Sequence, residues 1–211
     1  YLAGDVFTDR AEFIYQKDHI YKAIDANLGI DGLPQSGTGQ TTLFTGKNAS
    51  NLIGKHFGPF PHSGIKPLLK EKSIFHELQD MGKTPYFMNA YPPVFFERAE
   101  RSKRWSCTTL MAKSAGIRLN STKEIESEEA LTAEIVQNAW RDLLNIAIPK
   151  ITPTEAAQRL LNVVPKYDLV LYEYYLTDKA GHNKSHTDAE RVLQPLDEFM
   201  IHILKNKRSE D

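Results

Sequence analysis

The chain has 211 residues, 41% hydrophobic and 25% charged, which is enough to bury the core of one α/β domain with a small insert. Because 26 Lys and Arg residues nearly balance 27 Asp and Glu residues, the totals argue against disorder and against an electrostatic nucleic-acid binder. A single cysteine excludes an internal disulfide, and no apolar run approaches the ~18 residues of a membrane span. We therefore expect a soluble, cytoplasmic protein with no membrane or nucleic-acid partner.

The first part of the chain alternates strand and helix signals. Loosely alternating residues 20–26 predict a strand, and residues 38–44 predict a helix that ends near Gly46. Ser73 is the predicted N-cap of the next helix. Residues 84–90 then predict a second strand. This order of strand, helix and strand is typical of a parallel sheet with crossover helices.

The rest of the chain adds helices and one strongly apolar strand. Residues 128–144 are expected to be helical, and Thr152 precedes a helix with proline in its first turn. The near-continuous apolar and aromatic run 168–176 predicts a central parallel strand. A long amphipathic pattern over 186–204 predicts a final helix, in which Pro195 would cause a kink or mark an N-terminal break.

These elements together predict an α/β fold, in which a mostly parallel sheet is flanked by helices and carries a small helical insert. The core would comprise residues 1–97 and 152–211. Residues 98–151 would form an inserted cap or side layer, because they lack a strong buried strand. In open parallel sheets ligands bind outside the carboxyl ends of the strands, so polar residues just after a predicted strand are the first candidates for a site.

Asp178 and His182 are the first candidates, because they directly follow the predicted central strand. A carboxylate and an imidazole four residues apart, joined by a turn that contains Gly181, can bind one divalent ion. Alternatively, Asp178 caps a turn in an ordinary polar loop. His186 is a secondary candidate for a ligand, since most histidines near a helix start are solvated or capping.

Ser36 is the second candidate, at the predicted start of the first helix. Its hydroxyl would lie beside free backbone N–H groups and the positive end of the helix dipole, an environment suited to a phosphate. On local sequence alone, a simple N-cap serine is the more common role. The Walker A and nucleophile-elbow motifs are excluded, because Asn48 stands where the first needs Ser or Thr and Pro34 where the second needs glycine.

Taken together, the two segments resemble the alkaline phosphatase superfamily of metalloenzymes, which includes cofactor-independent phosphoglycerate mutases, phosphopentomutases and nucleotide pyrophosphatases. In that superfamily the Ser or Thr nucleophile begins a helix and a glycine follows ten residues later, as Ser36 and Gly46 do here. The superfamily's D-x-x-G-H metal motif is similar to residues 178–182. Closer similarity, to a bacterial metalloenzyme branch, lies in three segments: LPQSGTGQT at 33–41, NAYPP at 89–93 and YEYYLTD at 172–178.

The resemblance implies an alkaline phosphatase-like fold and phosphoryl transfer through a covalent phosphoserine at Ser36, on a small phosphorylated metabolite. It also implies two divalent ions, Zn or Mn, with Asp178 and His182 as ligands of one ion and Ser36 as a further metal contact. A phosphomutase, a phosphatase, and a phosphodiesterase or esterase of the same superfamily all stay open. A non-catalytic fragment with a binding or structural role is the alternative from a different class.

The chain also departs from the superfamily pattern. An Asp-Gly ligand pair after an opening strand, a later Asp-His pair and a further C-terminal histidine are not recognisable, and Asp31 lies too close to Ser36 to belong to the first of these. The chain therefore resembles an interior portion of the family domain. With only Asp178 and His182 available at the site, we expect it to bind Zn or Mn weakly or not at all.

Four further residues are weaker candidates for substrate binding. The amides of Gln40 and Asn48 could donate to a phosphoryl oxygen, although such amides commonly serve local turns. Arg98 and Arg101 belong to a basic run that suits a phosphate or a carboxylate, although a solvated helix face is the more common role. Cys107 lacks the motif of a sulfatase-type modified cysteine and is interpreted as structural.

Overall fold

The computed structural model describes residues 13–15, 20–183 and 186–211. Its contacts divide the chain into two compact units, with the division between Lys66 and Pro67. Helices account for about 51% of the described residues and strands for about 6%. The protein is therefore predominantly helical.

The described part of the first unit contains short strands and helices: β1 (Ile14–Tyr15), β2 (Ile20–Tyr21), α1 (Ser36–Thr45) and α2 (Ala49–Ile53). The strands β1 and β2 pair in antiparallel fashion. The helix α1 ends where the sequence predicts, because Gly46 adopts the left-handed conformation with φ 64° and its N–H donates to the carbonyl of Thr42. Glycine reaches this conformation without the steric cost of a Cβ.

The predicted strand over 20–26 is shorter than expected, since β2 has only two residues. The Asp25 carboxylate accepts hydrogen bonds from the N–H groups of Asn27 and Gly29, each at 2.8 Å. This bonding from side chain to backbone stabilises a local turn, which competes with extension of the strand.

The second unit is mainly helical in its described residues. Two helices precede the strand β3 (Pro85–Phe87) along the chain: α3 (Lys66–Glu71), which begins at the unit boundary, and α4 (Ile74–Asp80). Four helices follow it: α5 (Pro93–Ser102), α6 (Cys107–Ser114), α7 (Thr122–Glu126) and α8 (Asn138–Asp142). The C-terminal part consists of α9 (Pro153–Val163), a 3₁₀ turn (Val164–Lys166), β4 (Leu169–Leu171), α10 (Leu176–Asn183) and α11 (His186–Asn206). Within the described ranges, no helix combines the length and the hydrophobicity that crossing a bilayer requires.

Two helix starts in this unit are confirmed, and one expected break is wrong. The helix α4 has Ser73 as its N-cap, and α9 has Thr152. Thr152 and Glu155 form a capping box, in which Thr152 Oγ1 accepts the Glu155 N–H and the Glu155 carboxylate accepts the Thr152 N–H at 2.7 Å. The helix α11 continues through Pro195, so the proline does not mark an N-terminal break.

The strands β3 and β4 pair in parallel, with Phe87 opposite Leu171. Single parallel bridges extend the segment after β3: Asn89 with Leu131, and Ala90 with Asn120. Both bridges involve residues of the predicted insert 98–151. The division of the chain into a core and an insert stays a prediction.

Two clusters of buried apolar side chains form the core of the second unit. The larger cluster includes side chains from α9 and α11: Met88, Leu131, Ile135, Ile151, Ala156, Ala157, Val163 and Phe199. The smaller cluster contains Ala90, Ile125, Ala130, Trp140 and Ile148. Burial of this apolar surface is the main favourable term that holds the short helices together, because helices of this length are marginal on their own.

The predicted alkaline phosphatase-like α/β fold, with a mostly parallel sheet flanked by helices, is wrong. The described residues contain one short parallel pair, β3 with β4, and one short antiparallel pair, and they are otherwise mainly helical. The run 168–176 predicts one long strand, but β4 ends at Leu171 and α10 begins at Leu176. After β4, the backbone N–H and C=O of Glu173 bond to the side chain of Asn89 instead of a neighbouring strand, which ends the ladder.

The predicted helix over 128–144 is also wrong. The helix α7 ends at Glu126, and Leu131 forms a strand-like bridge. Ile135 and Gln137 have φ values of 71° and 66°, which interrupt a right-handed helix. Only the five residues of α8 are helical in the later part of this segment.

Candidate functional site

Ser36 is the first residue of α1, and its side chain is half-buried. The helix begins two residues before the predicted start, and Gln35 is the N-cap. The interpretation of Ser36 as an N-cap is therefore corrected. The helix α1 has 10 residues and Gly46 is its C-cap, so the ten-residue spacing between Ser36 and Gly46 corresponds to the length of this helix.

The backbone of residues 57–60 packs against the start of α1. The carbonyl of Phe57 accepts the Thr38 N–H at 2.9 Å, and Thr38 Oγ1 accepts the Phe57 N–H at 3.3 Å. Gly37 is buried, and a Cβ there would lie 2.5 Å from the carbonyl oxygen of Phe57 and closer still to that of Phe60. Because the Thr38 N–H is already bonded, the helix start offers fewer N–H groups to a phosphate than the expected open array.

Asp178 and His182 lie on one helix, α10, and not on a turn. His182 Nε2 is 3.8 Å from Asp178 Oδ2, which is within the ~5 Å expected for two ligands of one ion. Helical geometry accounts for this distance, because residues i and i+4 are neighbours on a helix surface. Both side chains are open to solvent, 57% exposed for His182 and 63% for Asp178. His186, the secondary candidate, begins α11.

A pair of this kind can supply two of the four ligands of a tetrahedral ion. Within the described ranges, no group of three or more His, Cys, Asp or Glu side chains is arranged to hold a metal. Ser36 belongs to the first unit, whereas Asp178 and His182 belong to the second. The donor set of Asp178 and His182 therefore fits an ion that is held weakly, with water or further groups as its other ligands.

Comparisons with protein-family models, curated proteins and solved structures find no match to this chain. A functional role for Ser36, Asp178 or His182 therefore stays a prediction from their motifs.

A second polar cluster, the Glu173 cluster (Asn89, Thr108 and Glu173), lies at the carboxyl ends of β3 and β4. Asn89 stands two residues beyond β3, and Glu173 stands two residues beyond β4. The Asn89 amide donates to the Glu173 carbonyl and accepts the Glu173 N–H, both at 2.8 Å. Thr108 Oγ1 donates to Glu173 Oε1 at 2.5 Å. These bonds hold a carboxyl group at the edge where parallel strands place ligands.

Burial changes the acid–base properties of this cluster. It raises the pKa of Glu173 above its ordinary value, and the hydrogen bond from Thr108 opposes part of that rise. Burial, followed by the nearby Glu173 charge, also raises the pKa of Tyr91 well above its ordinary value. The sequence-based search for site residues missed this cluster. A partial signal was available, because Asn89 and Glu173 lie within two predicted strands, 84–90 and 168–176, and in segments that resemble the metalloenzyme branch.

We expect the Glu173→Gln variant to differ from the wild type in the pH dependence of its stability. Because the pKa of Glu173 is raised above 4.5 in the folded state, the protonated carboxyl favours folding below that pH, and this contribution is lost as the pH rises through the folded-state pKa. The neutral amide can still accept from Thr108. Urea unfolding between about pH 4 and about pH 8 should show the variant gaining stability relative to the wild type as the pH rises.

Glu126→Gln is the matched control, because Glu126 is an exposed carboxylate on α7. The difference in free energy of unfolding between this control and the wild type should vary little over the same pH range. A constant difference between Glu173→Gln and the wild type would contradict a buried carboxyl with a raised pKa.

The four weaker candidates all lie on or at the start of helices. Asn48 is the N-cap of α2, where its side chain accepts a backbone N–H of that helix and donates to the carbonyl of Leu28 at 2.8 Å. The oxygen and the nitrogen of the Asn48 side-chain amide are thus both used in hydrogen bonds to the backbone. Gln40 is half-buried on α1, and Arg98 and Arg101 are exposed on α5. A role for these residues in substrate binding stays a prediction.

Proposed function

We propose that this protein catalyses metal-dependent phosphoryl transfer from a small phosphorylated metabolite, with Ser36 as the nucleophile. The observation that carries the proposal is that Asp178 and His182, both exposed, lie 3.8 Å apart within a D-x-x-G-H segment. The position of Ser36 at the start of α1, with Gly46 as the C-cap, adds to it. The resemblance to the alkaline phosphatase superfamily connects these two features to one reaction.

In the proposed reaction, Ser36 Oγ forms a bond to phosphorus while the bond between phosphorus and the ester oxygen of the substrate breaks. The serine proton passes to solvent, and the leaving oxygen takes up a proton from solvent. A second acceptor oxygen then takes the phosphoryl group from the phosphoserine and restores the hydroxyl. When bound, divalent ions would make the hydroxyl more acidic and offset the charge of the phosphoryl oxygens.

The residues of the chain would position the reacting groups. Ser36 lies at the positive end of the α1 dipole, which favours a nearby negative charge. Its neighbour Gly37 allows the backbone of residues 57–60 to pack against the helix start, which holds the Ser36 backbone in place. Asp178 and His182 have the i, i+4 spacing of α10, so the helix presents both ligands on one side.

The Asp178→Asn and His182→Gln variants test this function. Each substitution removes one of the two side chains proposed to bind the ion. With added Zn²⁺ or Mn²⁺, we expect each variant to hydrolyse 4-nitrophenyl phosphate about 100-fold more slowly than the wild type. Calorimetric titration with Zn²⁺ should show weak binding to the wild type and a further loss of affinity in both variants.

Asp197→Asn is the matched control, because Asp197 is an exposed carboxylate on α11 outside the proposed site. It should keep the metal-dependent turnover of the wild type. Wild-type turnover that does not respond to metal, or that survives both substitutions at Asp178 and His182, would contradict the proposal.

The products separate the reactions that the superfamily resemblance leaves open. Release of inorganic phosphate indicates a phosphatase, whereas return of the phosphoryl group to another oxygen of the same substrate indicates a mutase. Preferential hydrolysis of bis(4-nitrophenyl) phosphate indicates a phosphodiesterase. A folded protein that turns over none of these substrates with either metal would favour the non-catalytic alternative.

A further inference from the structure

A cavity of about 360 Å³ lies in the second unit, between α10, α11 and the segment 134–138, which leads into α8. This volume is within the range of small-molecule sites in proteins, about 300–1,000 Å³. The helix α10 contributes Leu176, Lys179 and Ala180 to the wall of the cavity.

The apolar residues that α10 contributes to the cavity, Leu176 and Ala180, lie on a different face of the helix from the proposed metal ligands. Each residue of an α-helix turns by about 100°, so Asp178 and His182 lie about 140–180° from the direction midway between Leu176 and Ala180. The exposure of the side chains agrees, because Ala180 is buried whereas Asp178 and His182 are more than half exposed. Lys179 lies between these two faces, about 100° around the helix from Asp178 and about 60° from His182.

Much of the cavity lining is apolar. The apolar side chains at its surface are those of Val136, Leu176, Ala180, Val192 and Pro195. The Tyr174 hydroxyl, also at the cavity, already donates to the carbonyl of Val192 at 2.6 Å. This part of the cavity suits a hydrocarbon or aromatic body, which would gain from burial of apolar surface.

Two cations, Lys179 and Arg191, and two carboxylates, Glu134 and Asp188, line the cavity. The Glu134 carboxylate already accepts the Ala139 N–H at 2.6 Å, and burial raises the pKa of Glu134. Asp188 pairs with Arg191 at 3.2 Å. Lys179 forms no ion pair within the described part of the chain. Among the described residues, the Lys179 ammonium is thus a cavity cation without an ion-pair partner, which suits a ligand with a single negative charge.

We propose that this cavity binds a small amphipathic monocarboxylate. Its carboxylate would pair with the Lys179 ammonium, and Arg191 would add a second donor, since a guanidinium has five N–H groups and the pairing with Asp188 leaves some of them available. Its apolar body would lie against Leu176, Val192 and Pro195. This site is separate from phosphoryl transfer and does not depend on it.

The test uses 4-phenylbutanoate and its uncharged amide as probes, with amide NMR of the full chain. We expect 4-phenylbutanoate to shift the resonances of residues that line the cavity, and the amide to bind about fivefold more weakly because it lacks the charge. Lys179→Met should weaken binding of 4-phenylbutanoate about fivefold and leave binding of the amide unchanged. Lys205→Met, at an exposed lysine of α11 outside the cavity lining, is the matched control and should bind both probes like the wild type.

Three outcomes would overturn the proposal. The first is that about 10 mM 4-phenylbutanoate, a concentration well above the dissociation constant of even a weak complex, causes no shifts at the cavity-lining residues. The second is shifts confined to residues elsewhere in the chain. The third is equal affinity of the wild type and Lys179→Met for 4-phenylbutanoate, because the carboxylate would then not be recognised by Lys179.

Discussion

The Ser36→Ala variant should lose the covalent phosphoenzyme and nearly all phosphoryl transfer, with turnover at least about a thousandfold below that of the wild type. Ser36 Oγ is the proposed attacking atom, whereas the carboxylate and imidazole proposed to bind one ion belong to Asp178 and His182, which this substitution does not touch. The affinity for Zn²⁺ should therefore stay within about twofold of the wild-type value. Mass spectrometry after an acid quench should find a phosphoryl group on Ser36 in the wild type and none in the variant.

The fold should survive this substitution. Because Gln35 and not Ser36 is the N-cap, the free energy of unfolding should change by no more than about 1 kcal/mol, against a typical margin of about 5–15 kcal/mol. Ser63→Ala, at an exposed serine of the first unit, is the matched control and should keep full turnover. If folded, metal-bound Ser36→Ala protein kept wild-type rates, Ser36 would have only a structural role and the covalent mechanism would be lost.

The Gly37→Ala variant should be destabilised by roughly 3 kcal/mol, at the upper end of the usual cost of overpacking. The added Cβ would overlap the backbone carbonyl oxygens of Phe57 and Phe60. Backbone atoms cannot rotate away as a flexible side chain can, so α1 or the segment 57–60 must move. Urea unfolding measures the loss of stability. Turnover should also fall, because the displaced segment is adjacent to Ser36.

Gly39→Ala, two residues further along the same helix, provides a matched comparison. No atom lies within 4 Å of a Cβ built at Gly39. This substitution should therefore stabilise the protein by about 0.5–1 kcal/mol, the usual difference between Gly and Ala inside a helix. If both glycine variants gained stability, the close approach of residues 57–60 to Gly37 would be contradicted.

Several element boundaries could be predicted from the sequence because their causes are local. Gly46 ends α1 through a left-handed conformation and a bond to a residue four positions earlier. Thr152 begins α9 through a capping box with a residue three positions later. The short distance between Asp178 and His182 likewise needs only the i, i+4 geometry of α10. Each of these features depends on residues within one helical turn, which are adjacent in any chain that forms the helix.

The Glu173 cluster shows what local patterns could not predict. Asn89 and Glu173 are 84 positions apart, and Thr108 and Glu173 are 65 apart. The bonds from the Asn89 side chain take the place of strand pairing at Glu173, so the apolar run 168–176 forms a strand of only three residues. The apolar and aromatic pattern of that run reflects the burial of its side chains. It does not show how many of its residues pair with a neighbouring strand.

The sequence by itself determined the local features of this protein: the C-terminal end of α1, the starts of α4 and α9, and the spacing that places Asp178 beside His182. Only the tertiary structure decided the extent of the parallel pair, the break-up of 128–144 into short pieces, and the buried environment of Glu173. The physical reason is that strand length, left-handed breaks and burial depend on hydrogen-bond partners and packing surfaces that distant parts of the chain supply, whereas caps and i, i+4 pairs are completed within a single turn of helix.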